Sequence, residues 1–199
     1  MTLSFQNWMQ AVWASLIEPA DTAAKVLTRH FSRNTLWSGL ILAAILNVLL
    51  LALVQVLTPV PVILERQIIA LSPFVYTLVF GCFLSFLVLA LVHVGRILGG
   101  TGTLDGALML MIWFQAISLT LETIQLGLLI ISPGLAGLFG MMSLGAIIWV
   151  FVNFINVLHG FKSVGKTILL IVAGLTAALI GTGIVMGLMG IVPQVGDVT

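Results

Sequence analysis

Five stretches of this sequence, residues 36–57, 73–94, 104–131, 135–157 and 168–189, are almost continuously apolar. Each reaches the roughly 20 residues with which an α-helix crosses about 30 Å of hydrocarbon. A helix is also the one open-ended structure that satisfies its backbone N–H and C=O groups within a single segment in lipid. The pattern therefore predicts an all-α polytopic membrane protein, a five-helix transmembrane bundle. Of 199 residues, 61% are hydrophobic and 7% charged, where a soluble domain carries about 25% charged residues. The segments between the spans leave no room for a soluble domain of ordinary size.

Turn residues mark the ends of the spans. Thr58, Pro59 and Pro61 close the first, Gly95 and Arg96 the second, and Ser132, Pro133 and Gly134 the third. The third is the longest, so it tilts or begins in the interface at Thr103 and Asp105. Asp105 in its first turn complements the helix dipole. The link from the third span to the fourth is very short, which predicts an antiparallel helical hairpin.

Residues 1–34 precede the first span as an amphipathic segment, residues 35–192 hold the spans, and 193–199 form a short tail. Phe5, Trp8, Met9, Val12, Trp13, Leu16 and Ile17 recur at helical spacing over residues 3–17, with Gln6, Asn7, Gln10 and Ser15 outside that face. Such a helix is too short to span. Trp8 and Trp13 suit the membrane interface, where an indole buries its ring and keeps its N–H wet, and the alternative seat is the bundle itself. Pro19 opens a second helix. Asp21, Lys25, Arg29 and Arg33 follow at intervals of four, a charged stripe in which Asp21 can pair with Lys25. Lys25, Arg29 and Arg33 are expected to meet anionic headgroups or a partner protein.

Lysine and arginine orient the spans. With the N-terminus inside, the inner segments hold Lys25, Arg29, Arg33, Arg96, Lys162 and Lys166, and the outer segments hold Arg66 alone. This asymmetry predicts a cytoplasmic N-terminus and a C-terminus on the outer side of the membrane. The outer tail carries Asp197 and no base.

Within the third span, Gln115, Ser118, Glu122 and Gln125 are spaced by three, four and three residues and so share one helical stripe. An acid at a helix centre costs about 2.5–3.5 kcal/mol on the insertion scale. The bundle offsets this with a partner, with water, or by keeping the carboxyl protonated. Asn47 in the first span and Asn153 and Asn156 in the fourth are the candidate partners, and no basic residue lies within a span. The stripe is expected to form either a proton, ion or headgroup site or a polar clasp that orders the helices. The fifth span carries small residues four apart, with Gly174 and Ala178, Ala177 and Gly181, and Gly183 and Gly187 as candidate close-packing positions. These serve packing within the chain or between two copies.

Other chemistry is sparse. Cys82 is the single cysteine, which excludes an internal disulfide. His93 and His159 fall at the inner ends of spans, and His30 joins the basic surface. No His, Cys and carboxylate spacing suggests a metal site, so no metal or cofactor is expected. HExxH, GxSxG and Walker A patterns are absent, which argues against an enzyme. A net charge of +1 gives no pull toward nucleic acid.

Three pieces of the chain carry a resemblance. Leu16-Ile-Glu-Pro-Ala-Asp-Thr-Ala-Ala precedes the first span, Gly99-Gly-Thr-Gly-Thr-Leu-Asp-Gly-Ala-Leu enters the third, and Val157-Leu-His-Gly-Phe with Gly165-Lys166 leads to the fifth. With the five-span layout they resemble the Yip (Ypt/Rab-interacting protein) domain family of polytopic membrane proteins, in its bacterial branch. The resemblance implies an integral membrane protein with a cytoplasmic N-terminal segment; eukaryotic relatives act in vesicle traffic with small GTPases. The chain departs from that branch in two places. Ser32-Arg-Asn-Thr-Leu-Trp37 stands where an Asp-Leu-Tyr-Gly-Pro type motif is found, and Trp113-Phe-Gln-Ala-Ile-Ser118 lacks the proline often present in the third span. The expected role is a non-enzymatic scaffold or accessory subunit of a membrane complex, in contact with the lipid bilayer and a membrane-protein partner or a second copy. The alternative is a translocator for a proton-coupled solute or a lipid, working through Glu122 and its polar neighbours.

Overall fold

The computed structural model describes residues 4–57 and 72–191. Among them are seven helices: α1 (Phe5–Ile17), α2 (Pro19–Leu27), α3 (Arg33–Leu57), α4 (Pro73–Ile97), α5 (Leu104–Ile131), α6 (Pro133–His159) and α7 (Val164–Leu188). The last five are long and apolar enough to cross a membrane, and the protein is an integral, multi-pass membrane protein. Arg66, Asp197 and the prolines expected to end the first span lie outside the described residues.

Local chemistry sets the helix ends. Ser72, Thr103 and Ser132 are the N-caps of α4, α5 and α6, each accepting a backbone N–H from the first turn, and Pro73 and Pro133 occupy the first helical positions. Gly160 ends α6 in the left-handed region at φ 64°, a conformation that needs no side chain in the way. The single residue Ser132 between α5 and α6 forces the expected hairpin. Phe114 and Phe151 pack across it at 4.9 Å.

The third span is the hub. In an 18-residue apolar stretch of α5, 44% of residues are buried, against 17–28% in the other four spans. Helices α3, α4 and α6 pack on it, and α1 and α2 touch it as well. The core runs through Leu40, Leu84, Leu91, Leu108, Ile117 and Phe154. Helix α7 packs chiefly on α4.

Helix α1 takes a seat on the bundle. Val12 and Ser15 are buried, whereas Phe5, Trp13 and Ile17 are turned outward. Trp8 Nε1 donates to Thr120 Oγ1 at 3.2 Å, and Trp113 Nε1 donates to Ser15 Oγ at 3.1 Å. The two bonds are seven residues apart on each helix and run in opposite senses, so α1 lies antiparallel to α5. Trp8 and Trp113 meet edge to face, 5.5 Å apart. The chain then bends at Glu18 and Pro19, and α2 packs on the C-terminal end of α6.

The charged stripe is interrupted. Helix α2 stops at Leu27 and α3 starts at Arg33, so Arg29 sits in the connection and the interval of four is not a helical face. Arg33 pairs instead with Asp105, Nε to Oδ1 at 3.0 Å, tying the start of α3 to the start of α5. Both side chains are exposed, so the pair contributes little stability. Lys25 and Arg29 are exposed nearby.

Candidate functional site

The polar stripe of α5 divides as it climbs the bundle. Gln115 and Ser118 are buried at 6% exposure each. Glu122 and Gln125, one and two turns further on, line a cavity of about 390 Å³. Its other walls are Asn47, Val48, Leu50, Leu51 and Val54 of α3, Tyr76 and Phe80 of α4, Leu126 and Leu129 of α5, and Ala136 of α6. These positions fall in the last turns of α3 and α5 and the first turns of α4 and α6. The cavity is thus a vestibule at one end of the bundle, opposite the basic residues among those described. Glu122 lies nine residues before the end of α5, or about 13 Å of helix rise.

Asn47 lines the vestibule and pairs with the amide of Gln115 beneath it. Asn47 Nδ2 donates to its own helix at Ala43 O, 2.8 Å, and toward Gln115 Oε1 at 3.4 Å, joining α3 to α5. Gln125 reaches the other way. It overlies Gly140 of α6 so closely that a Cβ there would stand 2.4 Å from Nε2. Gly140 is therefore the opening in α6 that admits the Gln125 amide. Glu122 has no hydrogen bond or ion pair among the described residues, and Glu122 is exposed on the vestibule wall.

Asn153 and Asn156 do not reach this site. Asn153 Nδ2 donates to Trp149 O on its own helix, and Asn156 Oδ1 accepts from Thr167 Oγ1 at 2.9 Å, fastening α6 to α7 at the opposite end. Both asparagines sit in the last turns of α6, far along the helix from Ala136. Trp8, for which the interface and the bundle were both open, has its N–H engaged by Thr120, while Trp13 is 64% exposed.

Small residues of α7 also divide. Gly174, Ala178 and Gly181 face α4, with Leu91 and Leu87 against Gly174 and Phe86 against Gly181. Gly183 and Gly187 have nothing within 4 Å of a built Cβ and lie on the outward side.

A second buried polar group sits at the end of the bundle away from the vestibule. His159 is 1% exposed; its Nδ1 lies 3.1 Å from Ile155 O, and its Nε2 is buried with no hydrogen-bond partner assigned among the described residues. Three glycines surround the ring. A Cβ at Gly95, Gly100 or Gly102 would stand 2.1, 2.7 or 2.6 Å from the imidazole. Phe161 stacks on it at 5.4 Å, and Thr101 N donates to His159 O at 3.2 Å. The glycine-rich entry to α5 is thus a socket for the last residue of α6. By sequence alone Gly95 marks the end of the second span and His159 the end of the fourth. Their common reason, an aromatic ring seated on backbone, is long-range.

Tyr76, Ser15, Thr120 and Thr167 were also missed. Tyr76 is the single tyrosine of the chain, which is the one hint the sequence offers. The hydroxyls give none, because Ser15 and Thr120 also bond their own helix at Ala11 O and Ala116 O, as they would in any span.

Among the described residues no three His, Cys, Asp or Glu side chains group as a metal site. The family model described as Yip1 domain matches residues 13–185, from within α1 to the last turn of α7. No curated protein and no solved structure matches the chain significantly.

Proposed function

The chain belongs to the Yip1 domain family, and on that footing we propose that it is a non-enzymatic scaffold or accessory subunit of a membrane protein complex. The observation that supports this reading is where the polar side chains go. Trp8 to Thr120, Trp113 to Ser15, Asn47 to Gln115 and Thr167 to Asn156 each join two helices. Such interhelical bonds hold a bundle in lipid, and they do not converge on one reacting atom as a catalytic constellation would. The result is a fixed body with broad apolar flanks and a basic inner edge at Lys25 and Arg29. The membrane is a bacterial inner membrane, with the N-terminal segment and the basic edge cytoplasmic and the C-terminus periplasmic; the lysine and arginine asymmetry supports this orientation.

The test is purification of the tagged chain, at native abundance, in a mild detergent. A stable assembly with another membrane protein or a second copy is expected. A monomer that elutes alone under conditions that preserve other inner-membrane complexes would sink the reading. The vestibule favours a second reading, translocation of a solute or lipid past Glu122. Proteoliposomes of the purified chain that show flux, abolished by Glu122→Gln, would put that reading in its place.

A further inference from the structure

The vestibule has the chemistry of a receptor for one kind of group. Among the described residues its walls offer a single charge, the carboxylate of Glu122, and no base. Around it stand acceptors. Asn47 uses its Nδ2 in bonds to Ala43 and Gln115, and no hydrogen bond occupies its Oδ1 among the described residues. Gln125 and Tyr76 add an amide and a phenol, and the rings of Tyr76 and Phe80 offer faces that attract cations. We propose that this vestibule binds a primary ammonium group, with Glu122 as its counter-ion.

Alternatives fit less well. Among the described residues an anion would meet a carboxylate and no base. Calcium takes six to eight oxygen ligands and zinc draws on several His, Cys or carboxylate donors, whereas Glu122 is the one such side chain in the wall among the described residues. A primary ammonium carries three donors and no acceptor, which matches a carboxylate flanked by amide and phenol oxygens. The cavity, at about 390 Å³, lies within the roughly 300–1,000 Å³ usual for small-molecule sites. Leu51, Leu126 and Leu129 supply apolar wall for an aliphatic carrier.

Depth is consistent with a carrier drawn from the bilayer. A 28-residue α5 overshoots the hydrocarbon at both ends, which sets Glu122 roughly 8 Å below the hydrocarbon boundary. A phospholipid amine reaches that depth by a short dip, and a free amine by diffusion from the aqueous side. The chemistry at Glu122 is the same for both. The proposal goes beyond the scaffold reading and does not depend on it; a chain that elutes with no partner can still bind amines.

Native mass spectrometry of the detergent-purified chain tests it with four probes: short-chain phosphatidylethanolamine, its N-acetylated form, short-chain phosphatidylglycerol and ethanolamine. Phosphatidylethanolamine is expected to bind wild type at least about tenfold more tightly than its N-acetylated form or phosphatidylglycerol, the scale of one charge-assisted hydrogen bond. Glu122→Gln, which keeps shape, should erase that preference. Tighter binding of phosphatidylethanolamine than of ethanolamine assigns the site to lipid, and equal binding assigns it to soluble amines. Equal binding of phosphatidylethanolamine and its N-acetylated form to wild type overturns the proposal without recourse to any variant. So does a preference that survives in Glu122→Gln.

Discussion

Trp8 and Thr120, 112 residues apart in sequence, are joined by a hydrogen bond from the indole Nε1 to the threonine Oγ1 at 3.2 Å. The matching bond from Trp113 to Ser15 fixes the direction of α1. Thr120 lies sixteen residues into α5, about 24 Å along it. The N-terminal helix is therefore held alongside a span, with its first turn level with the middle of α5.

That register sets a labelling gradient. In a Cys82→Ala background, Lys25→Cys is expected to react with a membrane-impermeant maleimide from the cytoplasmic side. Gln6→Cys, on the outward face of α1, should be shielded by lipid. Trp8→Phe removes the indole donor and should lower stability in detergent by about 0.6 kcal/mol, the average for such bonds in a membrane bundle, while speeding labelling at residue 6. Equal labelling of both sites in the otherwise unchanged chain would show α1 in the water-facing interface.

The His159 socket predicts a strong and reversible defect. Gly95→Ala sets a methyl 2.1 Å from Nε2, and overpacking of this kind costs about 1–3 kcal/mol. His159→Ala removes the ring, so the double variant should be less destabilised than the sum of the two single changes. Gly127→Ala, with nothing within 4 Å, serves as the control and should not lower the melting temperature. Additive losses in the double variant would mean that the two residues do not meet.

The pair of Asn47 and Gln115 can be weighed by a double-mutant cycle. Asn47→Leu and Gln115→Leu should couple by about 0.6 kcal/mol or less, because the bond is long at 3.4 Å. Thermal melts in one detergent supply the four values. A coupling of zero would leave the amides as separate buried groups.

Topology is open to direct measurement. Reporters that work on only one side of the membrane, fused after Thr199 and within the loop at Arg66, should both report the periplasm. Cytoplasmic activity at both sites would invert the orientation drawn from the lysines and arginines.

The bounds of the spans were legible in the sequence because lipid makes them a local matter. A backbone in hydrocarbon satisfies its polar groups within a helix or a closed barrel, so an apolar run bounded by turn residues signals a helix from its own residues, as in α5 from Leu104 to Ile131 with Thr103 as its cap. The shared face of Gln115, Ser118, Glu122 and Gln125 was equally local, since it follows from helical spacing.

What that face meets was not legible. Spacing says which residues stand together on a helix and nothing about the helix opposite. Only the packing of α3 against α5 sets Asn47, rather than Asn153 or Asn156, over Gln115. Only the close approach of α4, α5 and α6 turns Gly95, Gly100 and Gly102 into a seat for an imidazole. The fate of α1 was undecided for the same reason. Its indole N–H needed an acceptor and its ring an apolar surface; water and headgroups could supply both, and so could Thr120 and Trp113. The tertiary structure decided for the bundle because it brings that hydroxyl and that ring to the same point.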